Sequence, residues 1–197
     1  MLLAALIAVH YNVKINCQLF ILVYDVDMKE ETMVYLDMDG VLCDFEKEFQ
    51  KISHGVLPRD YEAEHSTKKY WNLVLEQGTG FWENMETTPD MIELKEYVFS
   101  NFLKIGILSS SSRKEHGSNI PTQGKMKFLR KRGFLTYIPK ENVKIVDSAQ
   151  QKKNYAWSNK ILVDDYDKNI RAWKGAGGIG ILHTSARQTI KELNRYA

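Results

Sequence analysis

The sequence has 197 residues, of which 44% are hydrophobic and 26% are charged, and its formal net charge is +2. These values are typical of one globular domain with enough apolar residues for a core, and so small a net charge gives no reason to expect a nucleic-acid polymer as partner. Two cysteines, Cys17 and Cys43, are too few for a disulfide framework, so we expect a reducing, cytoplasmic compartment.

Residues 1–32 form an extension to which we assign no function. The run from Met1 to Val9 is apolar, but it lacks the basic start and the small-residue cleavage site of a secretory signal. Polar residues interrupt the stretch up to Asp25, so its composition does not fit a membrane span, and we expect no membrane partner. Two interpretations stay open: the segment from Asn12 to Val23 forms an extra strand, or translation naturally begins at Met28 or Met33.

From residue 33 onwards, short apolar runs alternate with helical patterns. Strands are predicted at residues 33–36, 104–108, 143–146, 160–163 and 178–182. Helices are predicted over residues 44–52, around 61–77, from Pro89 in a first turn to about 102, over 122–132 and 169–174, and from about 185. This alternation predicts an α/β fold with a doubly wound parallel sheet.

The stretch from about residue 45 to 87 breaks the alternation. It is rich in aromatic residues and carries no strand pattern. We therefore predict one domain over residues 33–197, with a small helical cap at about 45–87 inserted after the first core strand. The cap and the core would meet over the tips of the strands.

The first predicted strand ends abruptly in two acids, Asp37 and Asp39, followed by Gly40. The carboxyl end of a parallel strand is where open α/β sheets bind their ligands. Two carboxylates at one strand tip repel each other unless a cation or a proton neutralises one of them. This arrangement therefore predicts a functional site.

Two other predicted strands end in polar residues as well, at the pairs Ser109–Ser110 and Asp164–Asp165. In a parallel sheet all three ends project from the same edge into one crevice. Several carboxylates without a cluster of histidine or cysteine ligands favour a hard cation, Mg²⁺ above all, and with hydroxyl donors they indicate a phosphate substrate. One carboxylate then acts as nucleophile, and a second one, two residues on, as general acid and base.

Three motifs of this sequence resemble those of the haloacid dehalogenase (HAD) superfamily of phosphatases. Residues 37–42, DMDGVL, match its first motif, and Ile107-Leu108-Ser109-Ser110 resembles the second, a strand that ends in Ser or Thr. Residues 161–165, ILVDD, with Asn169 beyond them, resemble the fourth, acidic motif. The resemblance covers roughly residues 33–183 and implies a Mg²⁺-dependent phosphatase with the fold described above.

Within that superfamily the sequence is most similar to the 5'(3')-deoxyribonucleotidases. Residues 37–45, DMDGVLCDF, are close to that family's DMDGVLADF, and residues 81–89 resemble its aromatic pair and the segment after it. The resemblance implies a (deoxy)nucleoside monophosphate as substrate, with Phe81 and Trp82 next to it. The alternative for these two aromatic residues is packing in the core or the cap.

The resemblance also implies roles for the four acids. Asp37 would be the nucleophile and a metal ligand, and Asp39 the general acid and base, binding the metal through its backbone carbonyl. Asp165 would be the third metal ligand, because Asn169 lies four residues after it as the motif requires. Asp164 would hold a water molecule or a neighbouring side chain.

For the phosphate, the resemblance implies hydrogen bonds from Ser109 and Ser110 and a neutralising lysine from a third motif. Lys152 and Lys153 both lie at a suitable distance before the acidic pair. The pattern Lys-x-x-Tyr-Ala, with Tyr155 as its tyrosine, favours Lys152, and Lys153 stays as the alternative.

Several alternatives remain open from the sequence. The substrate is a nucleotide or another small phosphate ester such as a sugar phosphate. A third hypothesis is that the protein is not an enzyme but a module that binds a phosphate ligand. The basic helix from Lys125 to Arg132 is expected to be a solvated face. The oligomeric state is open, with a homodimer as one alternative.

Overall fold

The computed structural model describes residues 32–197, so the extra strand considered for Asn12 to Val23 lies outside the described residues. All five predicted strands are present, each within two residues of its predicted bounds. They are β1 (Met33–Leu36), β2 (Lys104–Ser110), β3 (Val143–Val146), β4 (Lys160–Asp164) and β5 (Ile179–Leu182).

The five strands form one parallel sheet in the order β3-β2-β1-β4-β5. Met33 of β1 pairs with Lys104 on one side and with Lys160 on the other, so the three central strands start at one level. Their carboxyl ends consequently lie side by side. The chain leaves β1 for β2 in one direction and enters β4 in the other, which creates the topological switch point where such sheets bind ligands.

Nine α-helices accompany the sheet within residues 32–197. They are α1 (Phe45–Ile52), α2 (Pro58–Glu64), α3 (Thr67–Leu75), α4 (Gly80–Glu83), α5 (Met91–Asn101), α6 (Arg113–His116), α7 (Ile120–Lys131), α8 (Asp167–Gly175) and α9 (Ala186–Leu193). Short 3₁₀ segments cover Phe134–Thr136, Lys140–Asn142 and Ala149–Tyr155.

Side-chain caps fix the starts of several helices. The Asp44 carboxylate accepts a hydrogen bond from the backbone N–H of Lys47 at 2.9 Å and thereby begins α1. Ser185 accepts one from the Gln188 backbone at 3.3 Å at the start of α9. The prediction that Pro89 lies in the first turn of α5 is wrong, because this helix begins at Met91 with Asp90 as its N-cap residue.

The stretch between β1 and α5 is helical, as predicted. Residues 45–87, all of them described, contain α1 to α4 and no strand longer than an isolated bridge. That bridge joins Cys43 to Thr87, so the chain leaves the core and returns to it at nearly the same point. The insert is therefore anchored next to the end of β1.

Apolar residues cover both faces of the sheet. Successive residues of β1 alternate between two clusters, with Val34 and Leu36 in the larger one and Met33 and Tyr35 in the smaller one. All four are buried, as expected for a central parallel strand. The larger cluster also holds Phe49, Tyr70 and Trp82 of the helical insert, so insert and sheet share one core. No helix within residues 32–197 is long and apolar enough to cross a membrane.

Candidate active site at the carboxyl ends of β1, β2 and β4

The loop after β1 turns sharply and exposes its acids at the sheet edge. The Asp37 backbone N–H still donates to the Val163 carbonyl at 2.9 Å, which continues the sheet ladder. The Met38 carbonyl then accepts hydrogen bonds from the backbones of Leu42 at 2.7 Å and Cys43 at 3.0 Å. This turn passes through Gly40, whose φ of +76° lies in the left-handed region that glycine adopts without steric cost.

Gly40 also makes room for a carboxylate. A Cβ atom at this position would collide with the side chain of Asp165. The missing side chain thus lets Asp165, from the end of β4, lie directly against the loop that carries Asp37 and Asp39. The first and the fourth motif are therefore in direct contact, through Gly40 and Asp165.

Lys152, from the 3₁₀ segment before β4, is buried and contacts two of the acids. Its Nζ lies 2.7 Å from Oδ2 of Asp37 and 2.6 Å from Oδ2 of Asp164, and the residue is 2% exposed. Burial lowers the pKa of Lys152, but the attraction of the two carboxylates outweighs burial and raises it overall. Lys153 is exposed. Of the two lysines considered from the sequence, the structure brings Lys152 into the acidic group.

Asp37 is held in its ionised form. Burial raises the pKa of its carboxyl group, but the positive charges of Lys152 and Lys125 outweigh this and lower the pKa below its ordinary value. Its Oδ1 atom is buried and has no hydrogen-bond partner within residues 32–197. An ionised oxygen without a partner costs free energy unless a ligand or cation satisfies it.

Asp164, in contrast, has hydrogen-bond partners in the protein for both carboxylate oxygens. It is completely buried and accepts hydrogen bonds from Lys152, from the Tyr166 backbone N–H at 2.9 Å and from Asn169, whose Nδ2 lies 3.0 Å from both oxygens. These contacts orient Lys152 and the β4–α8 loop. The arrangement fits the predicted supporting position of Asp164 behind the metal ligands.

Oxygen atoms of Asp37, Asp164 and Asp165 lie within 4.8 Å of one another. Partial burial of the Asp165 carboxyl group, followed by repulsion from Asp37, Asp164 and Asp39, raises its pKa to about 7. The Asp165 side chain still faces solvent, which screens part of this repulsion. Such crowding of hard oxygen donors fits a divalent cation such as Mg²⁺, which Asp37 Oδ1 and Asp165 would hold. The predicted contribution of the Asp39 backbone carbonyl stays a prediction.

A second lysine, Lys125 of α7, lies in the site although the sequence analysis expected a solvated helix face there. That expectation is wrong for this residue, which is 1% exposed. Its Nζ donates to Asp39 Oδ2 at 2.6 Å, to Ser109 Oγ at 2.8 Å and to the Ser110 carbonyl at 2.8 Å. One available signal was the apolar stripe of α7, because Pro121, Phe128 and Leu129 lie on the same helical face as Lys125.

The Asp39 side chain contacts two residues outside the acidic group around Asp165. Besides Lys125 it contacts Cys43, whose thiol donates to Asp39 Oδ1 at 3.5 Å. Burial and the nearby charge of Asp39 raise the pKa of Cys43, so the thiol stays protonated.

The predicted serines sit at the end of β2. Ser109 is 1% exposed and its hydroxyl is bound to Lys125, whereas Ser110 is half-buried. Both line a cavity of about 700 Å³ whose lining also includes Asp37, Asp39, Lys152 and Asp165. The structure therefore brings the predicted acids, serines and lysine together at one edge of the sheet.

Phe81 and Trp82 are core residues, exposed by 3% and 1%. Phe81 packs edge-on against Phe45 with 5.4 Å between ring centroids, and it lines neither this cavity nor a smaller neighbouring one. Trp82 lines only the smaller cavity, of about 180 Å³. Phe81 therefore has the position of the alternative given above, packing in the shared core, whereas Trp82 lies at the wall of the smaller cavity. A contact of either residue with the substrate stays a prediction.

No protein-family model and no curated protein matches the sequence. Solved structures do match. The L-2-haloacid dehalogenase PA0810 aligns with a TM-score of 0.55 at 11% identity, over 83% of this chain and 99% of its own. The HAD hydrolase YfnB from Bacillus subtilis, whose crystal structure is bound to magnesium, aligns with a TM-score of 0.54 at 13% identity, over 84% and 98%.

A third neighbour is SP0104 from Streptococcus pneumoniae, a haloacid dehalogenase-like hydrolase, with a TM-score of 0.50 at 12% identity over 77% of this chain and 83% of its own. At such low identities the likeness concerns the backbone. The chain has the fold of the haloacid dehalogenase-like hydrolases.

Proposed function

We propose that this protein is a Mg²⁺-dependent phosphomonoesterase that hydrolyses (deoxy)nucleoside monophosphates to nucleoside and phosphate. The observation that carries the proposal is Asp37, a buried carboxylate kept ionised by Lys152, with one oxygen that has no partner among the described residues. A carboxylate of this kind at the end of the first strand is suited to attack phosphorus.

The residues around Asp37 support a two-step reaction. In the first step an Asp37 oxygen forms a bond to phosphorus, the ester P–O bond breaks, and the carboxyl group of Asp39 gives a proton to the leaving oxygen. In the second step Asp39 takes a proton from a water molecule, which attacks the aspartyl-phosphate, so that phosphate leaves and Asp37 is restored. A bound Mg²⁺ would offset the negative charge of the phosphoryl oxygens.

The two lysines are suited to different parts of this reaction. Lys152 offsets one of the two negative charges of Asp37 and Asp164, which lowers the repulsion that a dianionic phosphate meets at the acids. Lys125 links Asp39 to Ser109, which keeps the acid and base at the end of β2, where the phosphoryl oxygens would lie. The side chains of the site are thus held before a substrate binds, which lowers the cost of reorganisation.

The nucleotide as substrate is supported by the string of residues 37–45, DMDGVLCDF, and its similarity to the deoxyribonucleotidases. A cavity of about 700 Å³ leaves room for a leaving group much larger than the phosphoryl group. The crystal structure of YfnB, which has the same fold, is bound to magnesium, and this supports a magnesium ion in the proposed reaction.

A substrate panel tests the proposal. Phosphate release is measured for dUMP, dTMP, their ribonucleotide counterparts, a sugar phosphate and a generic aryl phosphate, with Mg²⁺ and with EDTA. We expect release from the nucleotides in Mg²⁺ and its loss in EDTA. A clear preference for the sugar phosphate would show that the substrate is not a nucleotide. A folded protein that hydrolyses none of the esters would favour the non-catalytic binding module. Because PA0810 is a dehalogenase, a 2-haloacid is included, and chloride release without phosphate release would overturn the proposal.

A further inference from the structure

Resting on the proposed function, we propose that Tyr166 is the stacking surface for the planar ring of the leaving group, and that it gives esters with an aromatic leaving group their advantage over aliphatic ones. Tyr166 directly follows Asp165 and lines the same cavity as Asp37. It therefore lies beside Asp165, which would hold the metal, at the wall of the proposed active site.

The exposure of Tyr166 separates it from the other aromatic residues near the site. The residue is 51% exposed, whereas Phe45, the other aromatic residue in the lining, is partly buried and packs against Phe49 and Phe81. An aromatic ring left open in a cavity that binds phosphate offers a flat apolar surface to a ligand. Packing in the core does not explain its position.

The backbone of Tyr166 is fixed although its ring is exposed. Its N–H donates to Oδ1 of Asp164 at 2.9 Å, and its carbonyl accepts from the backbones of Asn169 at 2.9 Å and Ile170 at 3.2 Å. The side chain of Tyr166 is thus attached to a backbone that these hydrogen bonds hold in place at the N-terminus of α8. The Nζ of Lys168 lies 5.9 Å from the ring centroid, which places a positive charge beside this wall of the cavity.

The helical insert lines the same cavity as Tyr166. Residues of α1 and α2, among them Gln50 and Pro58, belong to the lining, whereas Tyr166 comes from the β4–α8 loop. A leaving group attached to a phosphate at Asp37 would therefore pass between the helical insert and Tyr166.

The proposal is tested with Tyr166→Ala and Tyr166→Phe, and with Tyr137→Ala as a matched control. Tyr137 is another exposed tyrosine, at 69%, and does not line the cavity. The measurement is the ratio of kcat/KM for dUMP to kcat/KM for glycerol 3-phosphate. We expect Tyr166→Ala to lower this ratio about ten-fold through KM for dUMP, the loss expected when one stacking partner is removed. Tyr166→Phe and Tyr137→Ala should keep the ratio of the wild type.

A ratio that stays the same in Tyr166→Ala, or one that falls equally in Tyr166→Phe, would overturn the stacking role. The binding of dUMP and of inorganic phosphate, measured by calorimetry, gives the same comparison without turnover. Loss of dUMP affinity relative to phosphate in Tyr166→Ala would support the inference even for a protein without hydrolysis. Equal affinity ratios in Tyr166→Ala and the wild type would contradict it, whatever the result for the proposed reaction.

Discussion

The ammonium group of Lys125 lies 2.6 Å from Oδ2 of Asp39, although the two residues are 86 positions apart in the sequence. Asp37 has a lysine of its own, Lys152, at 2.7 Å. Each of the two acids of the first motif is thus paired with a different buried cation. This separation allows Asp37 and Asp39 to perform different tasks although only one residue lies between them.

Removal of Lys125 should reduce activity more than stability. In Lys125→Met the hydrogen bonds to Asp39, Ser109 and the Ser110 carbonyl are lost. A hydrogen bond to a charged group contributes about 1.5–3 kcal/mol, so we expect kcat/KM for dUMP to fall about 10- to 100-fold. The control is Lys127→Met, two residues on, whose side chain is 45% exposed. Equal kcat/KM values in the two variants would show that Lys125 has no part in the reaction.

Lys152 should matter for stability as well. In Lys152→Met the carboxylates of Asp37 and Asp164 lose the cation that lies between them. Breaking such a buried pair costs about 3–5 kcal/mol, measured as the free energy of unfolding in urea without metal. The raised pKa of Lys152 means that its contribution is complete at neutral pH and is lost only as the pH rises above the ordinary lysine range.

Lys153→Met is the matched control for Lys152, because Lys153 is its exposed neighbour. We expect the stability of this variant to stay within about 0.5 kcal/mol of the wild type. Mg²⁺ should stabilise Lys152→Met through the same carboxylates. A Lys152→Met variant as stable as Lys153→Met without metal would contradict the account of the buried group.

A methyl group at Gly40 should weaken metal binding. In Gly40→Ala the new Cβ collides with the Asp165 carboxylate, in addition to the strain of a positive φ. Gly78→Ala is the control, because Gly78 has a similar φ of +64° and nothing within 4 Å of the new Cβ. Both variants should lose about 1–2 kcal/mol of stability from backbone strain. Only Gly40→Ala should lose affinity for Mg²⁺ in calorimetry, and a loss of equal size in both would refute the contact.

Metal binding should depend on pH around neutrality. The pKa of Asp165 is raised to about 7 by partial burial and by Asp37, Asp164 and Asp39, so Mg²⁺ has to displace a proton below that pH. We expect the apparent Mg²⁺ affinity to fall about ten-fold per pH unit below 7 and to level off above it. The stability of the metal-free protein should change in the opposite direction. Its free energy of unfolding should fall as the pH rises from the unfolded pKa of Asp165 towards 7, because the ionised Asp165 destabilises the fold.

The comparison with Asp165→Asn isolates this group. This variant should bind Mg²⁺ more weakly and show a flatter pH dependence between 6 and 8 in the same calorimetric titration. If the wild type and Asp165→Asn have parallel pH profiles, the proton that competes with the metal is not on Asp165.

The sheet was predictable because each strand is a short apolar run that ends at a polar residue. In β1, Met33 to Leu36 are buried on both faces, so all four are apolar and the strand stands out from the helices. The parallel order also made the meeting of Asp37 with Asp164 and Asp165 predictable, since neighbouring strand ends share one edge. For these residues local pattern and topology were sufficient.

Lys125 and Phe81 were harder to place because their positions depend on packing between distant elements. Gly124 lets α7 approach α4, where a Cβ would collide with the Trp82 side chain, and this close contact turns Lys125 inwards. Phe81 and Trp82, on the same helix α4, are buried in the core, and Trp82 also lines the smaller cavity. The sequence of a basic helix shows that it is charged. Which of its residues face inwards depends on the helix against which it packs.

The central claim is that Asp37 attacks the phosphoryl group, and the direct test is phosphate release from dUMP in Mg²⁺ by wild type, Asp37→Asn and Asp60→Asn. Asp60 is an exposed acid of α2 and serves as control for the same chemical change. With folding verified by circular dichroism, we expect turnover to fall on the order of 10⁴-fold in Asp37→Asn and to stay at the wild-type rate in Asp60→Asn. Wild-type turnover by a folded Asp37→Asn variant would contradict the account.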